Sequence, residues 1–306
     1  MRQSKWLILA LVAFLSGGGN MKAASSLPGA GALQTGEIIS RVPANPSLPS
    51  IFIVGDSTSD FSVDRNHQGL AGVQGWGVFF SAFFDGCRVN VVDVARGGRS
   101  SRTYITQGFW DKTLVELKPH DIVLIQLGQN DVFPVNDNTR ARGTLPGIGP
   151  ETQEIDNMVT HQRETVHTYG WYIRKIVTET KARNALPIVM SLTPRNVWVD
   201  GHVEVGVSHY REWARSIAER EHVLFVDVSA IIAGQFEKFG HTKVNGLFHD
   251  AEPVHMTSPG SFMAAECTLA GLKSLPDSPV IPYLSSLGRL VPTVGQLAAP
   301  RIVPGH

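Results

Sequence analysis

Five short apolar runs limit what this chain can fold into. Residues 51–54, 89–94, 122–127, 188–192 and 223–226 are rich in β-branched side chains and nearly continuous in apolar character. A strand with one wet face alternates apolar with polar residues, whereas a strand covered on both faces does not, so such runs mark a buried parallel sheet. Helical patterns lie between them, at 76–84, 110–117, 159–185 and 210–221, and two more, at 229–239 and 258–272, close the series. Parallel neighbours need crossover helices, and the repeated β-α order predicts a doubly wound α/β domain. The expected form is a flavodoxin-like three-layer αβα sandwich on a five-stranded parallel sheet, ordered 2-1-3-4-5.

Length and charge agree with a single such domain. The 306 residues are enough to bury a large core. The 27 Lys+Arg and 27 Asp+Glu cancel to a formal net charge of zero, so no cationic excess is available to neutralise nucleic-acid phosphates. At 42% apolar and 18% charged residues, a long disordered chain is excluded.

The ends read differently from the middle. Arg2 and Lys5 precede an unbroken apolar run at 6–15, which 16–20 interrupts. A run of that length crosses only about half of a bilayer core, so residues 1–24 read as an export signal with small residues near Ala23 and Ala24. Residues 25–49 read as a linker and 50–275 as the domain. Residues 276–306 carry six prolines and read as an extended tail on the surface. Cys87 and Cys267 are the only cysteines. An exported chain can pair them or bury two free thiols, and their sequence separation does not decide which.

In open parallel sheets, ligands bind beyond the carboxyl ends of the strands. Gly55-Asp56-Ser57-Thr58 follows the first expected strand, Ala95 to Arg102 the second, and Gly128-Gln129-Asn130-Asp131 the third. His249-Asp250-Ala251-Glu252-Pro253-Val254-His255 lies just before the last helix. Ser57 at a strand-to-helix turn needs a base, and His255 is the candidate. A carboxylate must hold the imidazole, and Glu252, three residues earlier, is the first choice with Asp250 as the alternative. The backbone N–H groups of Ser57 and Gly98 and the side-chain amide of Asn130 are candidate oxyanion donors. The long segment 133–156, rich in Gly, Pro, Asn and Asp, is a further candidate functional loop. No histidine pair sits with a carboxylate at metal-ligand spacing, and no phosphate-binding loop is present, so neither metal nor cofactor is expected.

In this order, Ser57, Gly98, Asn130 and His255 resemble the four blocks of the SGNH (GDSL-type) hydrolase superfamily. The stretches 98–104, 136–157 and 257–259 are similar to its rhamnogalacturonan acetylesterase-like branch, and the likeness runs from about residue 50 to 276. One departure is plain: Glu252 stands where the family has aspartate.

The resemblance implies a serine esterase that removes O-acetyl groups from a cell-wall polysaccharide, pectic rhamnogalacturonan first, and the export signal makes it a secreted one. It implies an acetylated poly- or oligosaccharide partner and no cofactor. The mature protein is expected to be a periplasmic or extracellular monomer that binds neither nucleic acid nor membrane. Tyr104, Arg195 and Trp198 fall in or beside loops at the catalytic end and are candidate sugar contacts. The alternatives are a lipase or thioesterase of the same superfamily, another carbohydrate acetylesterase such as one acting on acetylxylan, and a non-catalytic carbohydrate-binding relic.

Overall fold

The computed structural model describes residues 40–60, 74–205, 207, 209–249 and 252–298. The expected export signal at 1–24 lies outside them, as do 25–39 of the linker, Asp250 and the last eight residues.

In chain order, the elements begin with β1 (Ser50–Gly55), α1 (Gly77–Phe80) and β2 (Asn90–Asp93). Next come α2 (Ser101–Thr106), α3 (Phe109–Glu116) and β3 (Ile122–Gln126). A hairpin follows, of β4 (Thr152–Asp156) and β5 (Arg163–His167), then α4 (Tyr169–Ala182) and β6 (Leu186–Met190). A two-strand ribbon of β7 (Trp198–Val199) and β8 (His202–Val203) leads to α5 (Tyr210–Arg220) and β9 (Leu224–Val226). The chain closes with α6 (Val228–Phe239), α7 (His241–Asn245), α8 (Ser258–Lys273), α9 (Ser286–Leu290) and α10 (Val294–Ala298).

The central sheet runs β2-β1-β3-β6-β9 with every pairing parallel. Successive side chains of a strand point to opposite faces, and β1 shows why its run is not amphipathic. Ile51 and Ile53 join one core, with Trp76, Phe80, Phe236 and Leu269. Phe52 and Val54 join the other, with Trp110, Tyr169, Ile173 and Ile217. Helices α1, α6 and α8 cover the first face, and α3, α4 and α5 the second. Each fully buried side chain of this size contributes about 1.5–3 kcal/mol, which fixes the three-layer sandwich.

The structure corrects two expectations. The pattern at 159–185 is not one helix: 163–167 is the second arm of the β4–β5 hairpin, and α4 starts only at Tyr169. Thr168 stops the strand and caps the helix, its side chain accepting from the Trp171 N–H. The segment 276–298 is not an extended tail, because Val280, Leu284 and Val291 are buried in the first core. Leu284 also bridges to Phe84, and the Lys273 ammonium donates to the carbonyls of Gly288 and Arg289, both at 3.1 Å. Prolines broke the helical period there without preventing short helices from docking. Cys87 is exposed, Cys267 is buried, and both are free thiols.

Candidate active site

Ser57 follows β1 in a turn tied down from several sides. The Asp60 N–H donates to the Asp56 carbonyl at 2.9 Å. Thr58 donates to Asp56 Oδ1 through its N–H at 3.0 Å and its hydroxyl at 2.9 Å. Only glycine fits just before the turn, since a Cβ on Gly55 would come within 2.1 Å of Ser59 Oγ. Asp60 reaches across to the next turn, where its Oδ2 accepts from the Gly97 N–H at 2.8 Å. The turns after β1 and β2 are thereby held together.

Gly98 has φ +75°, a left-handed conformation that side chains resist. Ser100 then caps α2 with a reciprocal capping box to Thr103. From the turn after β3, Asn130 Nδ2 donates to the Arg99 carbonyl at 3.0 Å. Arg142 Nη1 donates to Asn130 Oδ1 at 2.6 Å and to the Gly98 carbonyl at 3.0 Å. That bond fixes which end of the amide is oxygen and leaves a second Nδ2 proton for a ligand. The neighbouring Asp131 carboxylate accepts the N–H of Ser101 at 3.0 Å and its hydroxyl. Burial pushes its pKa up to about 7, although the Ser101 bonds pull the other way.

His255 arrives from a separate segment, the loop before α8. Its Nε2 lies 2.7 Å from Ser57 Oγ. Its Nδ1 is hydrogen-bonded to Glu252 Oε1, which also accepts the His255 backbone N–H at 3.0 Å. One carboxylate oxygen thus grips the histidine through ring and backbone, and the additional methylene of glutamate does not prevent contact. Burial raises the Glu252 pKa, but the hydrogen bonds and charge of His255 outweigh it and hold the carboxyl below its ordinary value. With Glu252 on Nδ1, the tautomer that donates there leaves Nε2 free to accept from the serine hydroxyl.

The structure therefore brings Ser57, His255 and Glu252 into one relay, beside Gly98 and Asn130. Asp250, the alternative to Glu252, lies outside the described residues. Tyr104 is a correction: it is fully buried in the second core and its hydroxyl donates to the Val94 carbonyl at 2.9 Å, so it does not face a sugar. Helix α2 packs the Tyr104 ring against Phe109 instead, with ring centroids 5.9 Å apart. Arg195 donates from Nε to Gln129 Oε1 at 3.2 Å, next to Asn130. The adjoining Asn196 N–H donates to the Pro253 carbonyl at 2.8 Å, beside the His255 loop. Trp198 is half-buried, with its Nε1 donating to Asn196 Oδ1 at 2.9 Å.

Sequence reasoning missed Arg142; it reads Arg99 and Arg102 as a pair that ties down the oxyanion turn, but does not name the partners of Arg102. Arg102 is fully buried and binds both oxygens of Glu164, at 2.7 and 2.6 Å. Its Nη1 also donates to the carbonyls of Val135 and Gly143, at 2.7 and 2.9 Å. It fastens segment 133–156 and the hairpin to the oxyanion side of the site. The length of that segment was the available signal, but spacing alone does not say which of its arginines turns inward.

A serine, a histidine and a carboxylate in relay at the carboxyl ends of a doubly wound parallel sheet is the arrangement of a serine ester hydrolase. Residues 53–261 match the GDSL-like lipase/acylhydrolase family. The chain is 31% identical over 221 residues to a rhamnogalacturonan acetylesterase of Emericella nidulans, covering 72% of this chain and 83% of the relative. It is 25% identical over 229 residues to a probable rhamnogalacturonan acetylesterase of Bacillus subtilis, YesY, covering 74% and 93%. The crystal structure of the Bacillus subtilis protein YxiM superposes with a TM-score of 0.57 at 21% identity, covering 74% of this chain and 56% of that longer one. The chain belongs to the GDSL-like lipase/acylhydrolase family, in the SGNH branch that resembles the rhamnogalacturonan acetylesterases.

Proposed function

We propose that the protein is an exported serine esterase that removes O-acetyl groups from a cell-wall polysaccharide, rhamnogalacturonan first. The observation that carries the chemistry is the 2.7 Å approach of His255 Nε2 to Ser57 Oγ with Glu252 behind the ring. Similarity to acetylesterases of two organisms supports the substrate class.

In the first half-reaction, Ser57 Oγ attacks the acetyl carbonyl while His255 Nε2 takes the hydroxyl proton. Glu252 holds the Nδ1 proton and stabilises the imidazolium. The oxyanion is received by the N–H groups of Ser57 and Gly98 and by Asn130 Nδ2, whose amide Arg142 keeps oriented. Proton return from His255 releases the sugar hydroxyl and leaves Ser57 acetylated. Water then attacks with the same base, acetate departs, and Ser57 regains its proton. Arg195 is the candidate sugar contact nearest the oxyanion side, and Trp198 lies further along the same segment.

The export reading rests on the basic-then-apolar pattern at 2–15, and N-terminal sequencing of secreted protein tests it. Acetate release tests the function, with acetylated rhamnogalacturonan, acetylated xylan and a long-chain ester compared for wild type and Ser57→Ala. Release confined to the pectic polymer and abolished in Ser57→Ala is the expected result. Release only from xylan or the long-chain ester overturns the substrate, and no release from any ester overturns the chemistry.

A further inference from the structure

The segment that Arg102 fastens down presents two more arginines to the oxyanion side. Asp137 Oδ1 accepts the backbone N–H groups of Thr139 and Arg140, at 2.7 and 2.8 Å. This turn aims residue 140 back at the site, and the Gly143 N–H closes the loop on the Pro134 carbonyl at 2.9 Å. A Cβ built on Gly98 would lie 3.2 Å from Arg140 Nη1 and 3.7 Å from Arg142 Nη1. Both guanidiniums therefore stand against the glycine whose N–H is offered to the oxyanion.

The two cations differ in how they are held. Arg142 is half-buried, bonded to Gly98 and Asn130, and stacked on Phe133 with its guanidinium carbon 3.9 Å from the ring centre. Arg140 is exposed. Among the described residues, neither has a carboxylate within ion-pairing distance, whereas Arg102, Arg163, Arg211 and Arg215 each do. Asp137, the nearest acidic residue in sequence, uses Oδ1 on its own turn. Burial and the neighbouring charge of Arg140 pull the Arg142 pKa down to about 10. Two like charges are thus packed side by side, at some cost, on the rim of the site.

We propose that Arg140 and Arg142 form an anion subsite that takes the carboxylate of a uronic acid on, or next to, the acetylated sugar ring. A carboxylate placed between them turns like-charge repulsion into two attractions, and the planar fork of guanidinium matches both its oxygens. Arg142 is the fixed half, also positioning Asn130, and Arg140 is the open half that meets the ligand. A neutral sugar or a fatty acyl chain gains nothing from this pair. This inference rests on the reading of the protein as a carbohydrate acetylesterase and deepens it by naming the residues that meet the acid group of the substrate.

The test is inhibition of 4-nitrophenyl acetate hydrolysis by a galacturonate trisaccharide and by its neutral methyl ester. Wild type is expected to bind the acid at least about tenfold more tightly, with the preference shrinking as salt rises from about 20 to about 500 mM. Arg140→Gln is expected to collapse the acid-to-ester ratio of inhibition constants, while Arg140→Lys retains part of it. Equal inhibition by acid and ester in wild type, or a ratio that Arg140→Gln does not move, overturns the subsite. The salt series needs no variant and so stands whether or not the substitutions fold. Inhibition constants read the subsite independently of acetate release from polymers. Release that is equal with acidic and neutral polymers defeats this inference and leaves the esterase reading standing.

Discussion

The site is assembled from two regions of different construction. Ser57, Gly98 and Asn130 sit on turns that directly prolong β1, β2 and β3, three adjacent strands of one sheet. Those turns are mostly buried, with Gly98 half-buried, and cross-linked by Asp60 to Gly97, Arg142 to both Gly98 and Asn130, and Asp131 to Ser101. Glu252 and His255 ride on a half-exposed loop closed by a bridge between Phe248 and Met256 and a 2.9 Å bond from the Thr257 N–H to the Leu247 carbonyl. The nucleophile and oxyanion donors are set by sheet geometry, whereas the base is set by a few bonds within its loop and by the Asn196 N–H that donates to the Pro253 carbonyl. The strand turns supply preorganisation, which is where electrostatic catalysis is strongest. The loop supplies a proton carrier that tolerates a longer carboxylate.

The comparison breaks most visibly at the reacting pair. Ser57→Ala and His255→Ala are each expected to lower kcat by roughly 10⁴–10⁶-fold, and the double variant no further, because the two act as one unit. Steady-state rates on 4-nitrophenyl acetate check this, and losses that multiply in the double variant would show that they do not.

Glu252→Gln comes next. It keeps size and one acceptor but removes the charge that stabilises the imidazolium, and the loss is expected to approach about 10⁴-fold in kcat. Glu252→Asp tests the loop's tolerance from the other side. Shortening the side chain pulls Oε1 from either the ring or the His255 N–H, so activity is expected to fall well short of the glutamine loss. Equal losses would mean that reach rather than charge is what glutamate supplies here.

On the rigid side, Asn130→Ala removes one oxyanion donor, with an expected loss of about 10²–10³-fold in kcat and little change in KM. On 4-nitrophenyl acetate, which brings no carboxylate to the arginine pair, Arg142→Gln is expected to give a smaller loss in the same parameter, since there it acts by orienting Asn130. An Arg142→Gln effect confined to KM would contradict that positioning role.

These two regions also differ in how far the sequence disclosed them. The sheet was readable because strands buried on both faces leave unbroken apolar runs, and strand order then put Ser57, Gly98 and Asn130 at one end. His255 was readable only through its spacing from Glu252 and its place before the last helix, since a loop carries no period. The hairpin at 152–167 was hidden because its first arm lies in the Gly- and Pro-rich segment read as a loop, while its second, with Arg163 and Thr165, reads as the charged start of a helix. Tyr104 was misplaced because the capped helix that buries it begins inside what reads as a Gly-rich turn. Arg102 and Arg142 act through contacts 62 and 12 residues away, with Glu164 and Asn130, and no local pattern announces such partners.

The smallest expected effect is one of sign, and it separates the two regions by pH. Asp131, in the rigid turn, has its folded pKa raised by burial from 3.8 to about 7. A raised carboxyl favours the folded state while protonated, so its contribution is full below about pH 4 and is lost as pH rises toward about 7. Glu252, on the loop, has its folded pKa lowered from 4.5. Its contribution is present above pH 4.5 and is lost as pH falls through its folded value. Asp131→Asn removes the first dependence, because an amide still accepts from Ser101 but does not ionise. Melting temperatures are therefore expected to move by a few degrees in favour of Asp131→Asn between pH 4 and 7, relative to wild type. Glu252→Gln is expected to gain on wild type only below pH 4.5, in the opposite direction along the scale. Parallel curves for wild type and Asp131→Asn across pH 4–7 would mean that the Ser101 bonds, and not burial, govern that carboxylate. The rigid turn would then carry a settled negative charge beside the oxyanion donors, and Arg142 would be its counterweight.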